Sequence, residues 1–333
     1  MTDILPDPFG ELGPAPRRKT VSVLGARVDI ESNHAGLLEI AATAFAGLPA
    51  YRLGVALRLR LVLKCAGGGS KRRWRHPPLP SYSSGGGILM SSFDVANFAV
   101  VAPDSRIAFV HVSPQALRFA YHLRYELIEF AGVTLAARAQ RLVPLHAACV
   151  GRRDRGLLLL GGSGAGKSTM CLAAALAGVE LLSEDSVFVA PDRMLATGLP
   201  NYLHVRRDGL RFVDDRATRR AIESAPTIRR RSGARKLEVD LRESALPVSR
   251  RALRIAGVVV LSARRGKSGT LLRTLRRAEV LASLRGSQGY ARHQPAWDRF
   301  ERKIGRLPGY VLRRGNHPRE GAAALRAILD SAG

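Results

Sequence analysis

The segment Gly161-Gly-Ser-Gly-Ala-Gly-Lys-Ser168 constrains this chain more than any other stretch. It satisfies G-x-x-x-x-G-K-[S/T] at every fixed position, the pattern of a loop that cradles phosphate. Glycines there let backbone N–H groups turn inward and approach anionic oxygens closely. Lys167 can reach β- and γ-phosphates, and the Ser168 hydroxyl can ligate Mg²⁺. The flanks agree with this reading. Gly156-Leu-Leu-Leu-Leu-Gly161 reads as a short buried strand, and Ser168 to Leu176 is rich in helix formers, with Gly178 placed to end the helix. A strand–loop–helix unit is therefore expected, with the positive end of the helix at the loop. The expected ligand is ATP with Mg²⁺. Its phosphates would lie on Gly161, Gly162, Ser163, Gly164, Ala165, Gly166, Lys167, Ser168 and Thr169.

At 333 residues the chain can hold one large or two modest domains. Hydrophobic residues make up 46%, enough for a core. No uninterrupted apolar run reaches the ~18 residues of a membrane span. The start, Met1-Thr-Asp-Ile-Leu-Pro-Asp-Pro, lacks a basic segment followed by an apolar one, so a cytoplasmic protein is expected. Cys65, Cys149 and Cys171 are scattered, which argues against a disulfide framework or a thiolate zinc site. The net charge of +26 would attract nucleic acid, an anionic membrane or an acidic partner. Only seven of the 53 basic residues are lysine, a skew that also matches genome base composition. Aromatics stand at 6% and no stacking signature for RNA appears, so nucleic acid is not the expected substrate.

Along the chain, residues 1–20 are Pro-rich and read as a flexible tail. Residues 21–140 read as a small α+β domain. It has a strand over Val21–Asp29, a helix over Leu37–Ala46 and a strand over Tyr51–Cys65 that alternates Leu with Arg. Ala66–Gly87 reads as a loop carrying the basic cluster Lys71-Arg-Arg-Trp-Arg75. Phe93–Val101 and Ile107–Val112 form a hairpin pattern, and Gln115–Arg138 a helical one behind Ser113-Pro114. Residues 141–333 form a second domain. It has strands over Leu142–Val150, Val258–Ser262 and Tyr310–Arg313, and helices over Glu279–Leu284, Pro295–Ile304 and Glu320–Ser331. The turn Gly151-Arg-Arg-Asp-Arg155 is so short that the strands on either side should be antiparallel.

A phosphate loop alone predicts only nucleotide binding. The next acids predict more. Val179-Glu-Leu-Leu-Ser-Glu-Asp-Ser-Val-Phe-Val189 is apolar at both ends and carries Glu184-Asp185 inside it. Two adjacent acids in an apolar strand are costly unless they face a metal or water. A Mg²⁺-binding acid is needed beside the phosphates, and a second carboxylate can take a proton from a hydroxyl nucleophile. The spacing from Lys167 to Asp185 is too short for the insertion of transporter-type ATPases. His146, in Pro144-Leu-His-Ala-Ala148, stands in an apolar strand, where histidine is either a core residue or a functional one. Arg229, Arg230, Arg231, Arg235 and Lys236 form a basic group that would serve phosphate or an acidic substrate, or simply a solvated loop. Gly198-Leu-Pro-Asn-Tyr-Leu-His204 would border the acceptor pocket or make an ordinary turn.

Residues 142–190 resemble the HPr serine kinase/phosphorylase family, more broadly the HPr-kinase-related kinases, which share a P-loop core with phosphoenolpyruvate carboxykinase. The resemblance is carried by Pro144-Leu-His146-Ala-Ala, the loop Gly162–Ser168, the helix ending at Gly178, and Leu181-Leu-Ser-Glu-Asp-Ser-Val187. It implies an α/β fold: an HPr-kinase-like P-loop domain with a mixed sheet behind the smaller α+β domain. It implies that Glu184 is the base toward the acceptor hydroxyl, that Asp185 joins Ser168 in holding Mg²⁺, and that His146 lies near the transferred phosphate beside the catalytic Lys167. The family has Asp at the first acid, where this chain has Glu184. The family's second signature, a glycine-rich run ending in Ile-Asn-Val, is absent, so phosphorylase activity is not implied. The expected activity is Mg²⁺- and ATP-dependent transfer of the γ-phosphoryl group to a hydroxyl, in the first place a serine of a protein or peptide. A small hydroxyl compound as acceptor is the second reading. A nucleotide-gated binding module without transfer, alone or with nucleic acid, is the third. Homo-oligomers are compatible with each.

Overall fold

The computed structural model describes residues 13–49, 55–64, 73–162, 164–230, 233–266 and 271–331. Cys65, the cluster residues Lys71 and Arg72, Ser163 and Arg231 lie outside these, as do residues 1–12 of the expected tail. The chain is a mixed α/β protein with mixed sheets. Packing divides it into two units, Met1–Ala46 with Leu53–Ala139 and Gly47–Arg52 with Gln140–Gly333.

The first unit contains β1 (Arg17–Val23), β2 (Ala26–Ser32), α1 (Ala35–Phe45), β3 (Ala56–Leu63), β4 (Ser81–Gly85), β5 (Ile88–Asp94), β6 (Asn97–Ala102) and β7 (Ile107–Val112). The short helices α2 (Pro114–Leu117) and α3 (Ala120–Leu123), a π-helical stretch Arg124–Glu129 and α4 (Phe130–Ala139) follow. The strands form one sheet in the order β1-β2-β3-β7-β6-β5-β4. Leu57, Leu59 and Leu61 of β3 are buried while the arginines between them face outward, as the alternation predicts. Four expectations need correction here. Ala66–Gly87, expected as a loop, carries β4 over Ser81–Gly85, which pairs with Ile88–Ser92 because Gly86 and Gly87, both at positive φ, close a hairpin. Val21–Asp29 is a hairpin, not a strand, because Gly25 turns the chain with φ +83°. Arg17–Thr20, expected in the tail, pair with Asp29–Ser32. Phe93–Val101 is broken by a turn, because the Asp94 carboxylate accepts from the Ala96 N–H at 2.9 Å and from Asn97 Nδ2 at 2.8 Å.

The second unit runs through β8 (Val143–His146), β9 (Ala148–Arg152), β10 (Arg155–Leu160), α5 (Lys167–Leu176), β11 (Glu180–Ser183), β12 (Ser186–Ala190), β13 (Leu195–Gly198) and β14 (Tyr202–Val205). It continues with α6 (Arg216–Glu223), β15 (Thr227–Arg229), β16 (Arg235–Asp240), β17 (Leu253–Arg265), β18 (Leu272–Leu275), α7 (Arg277–Ser287), α8 (Trp297–Ile304), β19 (Gly309–Arg314) and α9 (Pro318–Ser331). The main sheet runs β11-β9-β10-β17-β13-β12-β8, with β19 against β17 and β18 against β19. β10, β17 and β19 are parallel, and β9 and β10 are antiparallel, as their short turn requires. Consecutive leucines of β10 go to opposite faces. Leu157 and Leu159 pack with Cys171, Leu172, Leu325 and Ile328, and Leu158 and Leu160 with Val280, Leu284, Trp297 and Phe300. Helices cover both faces, which explains an uninterrupted apolar run in place of an alternating one. A small antiparallel sheet, β14-β16-β15, lies apart from the main one.

Two expected strands are each split in two. Leu142–Val150 breaks at Ala147, and its halves take different neighbours: β8 pairs with β12, and β9 with β10 and β11. Val179–Val189 breaks at Glu184-Asp185, so the acids stand between β11 and β12. Among the described residues no helix is long and apolar enough to cross a membrane.

Candidate active site

The site gathers at the end of β10. Beyond it, Gly164 and Gly166 hold φ +80° and +100°, backbone that other residues rarely adopt, and α5 starts at Lys167. A methyl added at Gly162, Gly164 or Gly166 would meet no atom within 4 Å, so the loop surface is open to an anion. Lys167 is buried. Its Nζ donates to the Gly161 carbonyl at 2.6 Å and to His146 Nε2 at 3.3 Å. Burial lowers its pKa, and the charges of Asp185 and Glu184 oppose that.

The two adjacent acids meet different surroundings. Glu184 Oε1 accepts from the Ser168 hydroxyl. Its Oε2 accepts from the His204 backbone N–H at 3.3 Å and lies 3.1 Å from His204 Nδ1. Lys236 Nζ is 3.8 Å from Oε1. Burial by itself would raise the carboxyl's pKa. The hydrogen bond and charge of His204, then Lys236 and Ser168, override it and bring the value down to about 2. Asp185 instead faces His146 Nδ1 at 3.3 Å and accepts from Arg230 Nη2 at 3.2 Å. Side-chain exposure is 7% for Glu184, 34% for Asp185 and 55% for His146. Lys167 donating to Nε2 leaves the imidazole proton on Nδ1, toward Asp185.

The sheet thus brings His146, Lys167, Ser168, Glu184 and Asp185 together, with Arg230 and Lys236 from the basic group. Arg229 and Arg235 are exposed. Ala165 holds the loop by donating from its N–H to the Gly162 carbonyl at 3.1 Å, and Thr169 lies in the first turn of α5. Ser168 and Glu184 supply hard oxygen donors in mutual contact. Mg²⁺ commonly takes one or two protein oxygens and fills its octahedron with phosphate and water. Among the described residues, no group of three or more His, Cys, Asp and Glu is arranged for a metal.

Three further residues were not singled out by sequence reasoning. His204 lies in the segment expected to border a pocket, yet it is buried behind Glu184, with Nε2 3.3 Å from Glu238 Oε1. Gln288, just beyond α7, brackets the His146 backbone: its Oε1 accepts from the His146 N–H at 2.8 Å and its Nε2 donates to the His146 carbonyl at 3.1 Å. Glu238, in Arg235-Lys-Leu-Glu-Val-Asp240, and Gln288, in Arg285-Gly-Ser-Gln-Gly289, stand in polar surroundings that gave no local signal.

No family model matches the sequence, and no curated protein matches it. Among solved structures, the chain is similar to the HPr(Ser) kinase/phosphatase from Coxiella burnetii, with 13% identity and a TM-score of 0.30 over 57% of this chain and 99% of that chain. A likeness of that size speaks to fold-level similarity at most, and not to activity.

Proposed function

We propose that this protein is a kinase that uses ATP and Mg²⁺ to transfer the γ-phosphoryl group to a hydroxyl, in the first place a serine of a protein or peptide. The observation that carries the reading is the contact between Ser168, at the end of the glycine loop, and the Glu184 carboxylate, with Asp185 and His146 beside it on a more open side. The nucleotide's phosphates lie on the loop N–H groups and the α5 N-terminus, with Lys167 as their point charge. Ser168 and Glu184 would hold Mg²⁺, which would supply charge neutralisation at the β- and γ-phosphates.

The division of labour differs from the one the resemblance implies. A base must meet an incoming hydroxyl and must bind its proton. Glu184 is closed off from solvent and bonded to the Ser168 hydroxyl, so it belongs to the metal side. Asp185, backed by His146, takes the acceptor's proton as the hydroxyl oxygen bonds to the γ-phosphorus and the bond from that phosphorus to the β–γ bridging oxygen breaks, with ADP as the leaving group. Arg230 orients Asp185.

The test is transfer from γ-labelled ATP to a serine peptide library and to small hydroxyl compounds, with and without Mg²⁺. Mg²⁺-dependent label on peptide serine supports the proposal. Label only on small compounds moves it to a small-molecule kinase. Nucleotide binding with no label on any acceptor or on water overturns transfer and leaves a binding module.

A further inference from the structure

The face of the small sheet that meets the loop is built for one task. β14 and β16 pair with His204 directly opposite Glu238, so the two side chains share a face. Lys236, two residues before Glu238, lies on that face as well. All three converge on Glu184: Nδ1 of His204 at 3.1 Å and Nζ of Lys236 at 3.8 Å touch the carboxylate, and Glu238 braces Nε2 of His204 at 3.3 Å. His204, Glu184 and Glu238 are buried. Charged groups in such a place are costly unless each is paired, and a half-satisfied network is worse than an apolar one. Here the pairing runs in one direction, from Glu238 through His204 to Glu184 Oε2, which leaves Oε1 to the Ser168 hydroxyl.

We propose that His204, braced by Glu238, is a positioning residue that aims the Glu184 carboxylate at the metal site beside Ser168, so that Mg²⁺-nucleotide affinity depends on the pairing of β14 with β16. This rests on the kinase reading given above. Outer partners that orient a metal's ligand typically change metal affinity ~10–100-fold when removed.

The experiment measures nucleotide binding by calorimetry, as a function of Mg²⁺ and in its absence, in the whole protein. Variants are His204→Leu, His204→Asn, Glu238→Leu and Glu238→Gln, each checked by its thermal unfolding. The Asn amide can still donate to Glu184, and the Gln amide can still pair with His204. Expected is a roughly 10-fold or larger rise in the Mg²⁺ needed for half-saturation in His204→Leu and a smaller rise in Glu238→Leu. Expected too are near-normal values in His204→Asn and Glu238→Gln, and unchanged metal-free binding throughout. Equal Mg²⁺ dependence in wild type and His204→Leu overturns the positioning role while the kinase reading stands. If His204→Leu does not fold, the amide variants decide: an Asn variant as impaired as Glu238→Leu overturns it. A wild-type protein that binds nucleotide without regard to Mg²⁺ overturns both readings together.

Discussion

Glu184 and Asp185 are neighbours with different surroundings, because their side chains leave the chain at a break between strands. One goes inward to Ser168 and His204, the other outward to His146 and Arg230. Glu184→Gln should therefore weaken Mg²⁺-dependent nucleotide binding and leave metal-free binding intact. Asp185→Asn should lower kcat, with ATP affinity little changed, by the ~10²–10⁴-fold typical of a lost general base. Steady-state turnover and calorimetry separate the two. The reverse pattern would restore Glu184 as base and Asp185 as metal ligand. Lys167→Ala should remove on the order of 10²–10³-fold in turnover, the scale of one lost charge-stabilising donor. Its melting temperature should stay near wild type, since the hydrogen bonds lost among the described residues are those to the Gly161 carbonyl and His146. A folded variant with normal turnover would refute the phosphate-loop assignment.

At the scale of elements, the loop is aimed by the hairpin that precedes it. β9 passes so close to β10 that a methyl on Gly151 would lie 2.4 Å from the Arg155 carbonyl oxygen and 2.3 Å from Leu253 Cδ1. Gly151→Ala should destabilise the protein by about 1–3 kcal/mol, the usual result of overpacking, read as a lower urea midpoint. An unchanged midpoint would mean that the hairpin has slack. On the other face of the main sheet, α7 and α8 are joined by Arg285, which donates to Glu301 through Nε at 2.7 Å and Nη2 at 2.8 Å. This bond holds the Glu301 carboxyl below its ordinary pKa. A lowered folded value means that the stabilisation is present above the unfolded pKa of about 4.3 and disappears as pH falls through the folded one. Glu301→Gln should lower the melting temperature slightly at neutral pH, in line with ~1 kcal/mol or less for a largely exposed partner. The difference from wild type should vanish in acid. A gap that persists at low pH would assign the effect to packing rather than charge.

For the molecule as a whole, a net charge of +26 favours non-specific attraction of polyanions. Binding to random duplex DNA, followed by fluorescence anisotropy, should fall steeply between about 50 and 200 mM salt and show no sequence preference, the signature of counterion release. ATP binding, held by directed loop contacts, should fall much less over that range. Affinity for DNA that survives at the higher salt and discriminates between sequences would return nucleic acid to the list of substrates.

The strand–loop–helix unit of β10 and α5 was legible in the sequence because all of it is local. Eight consecutive residues, Gly161 to Ser168, carry the turn, the charge and the hydroxyl, and the Leu157–Leu160 run before them can only be a buried strand. The alternating Leu and Arg of β3, the terminal helix α9 and the antiparallel turn between β9 and β10 were legible for the same reason, since period and loop length are properties of neighbours. The tertiary structure alone decided which acid faces which partner. Glu184 and Asp185 differ by one position, and the outcome depends on where β11 ends. His204 reaches Glu238 across 34 residues because β14 and β16 pair in one register, and a shift by one residue would turn both side chains away. Gln288 reaches His146 across 142 residues because α7 ends beside β8. Hydrogen bonds over such separations are set by strand pairing and helix docking, which bury polar groups only where partners from distant segments coincide, and no local spacing encodes that coincidence.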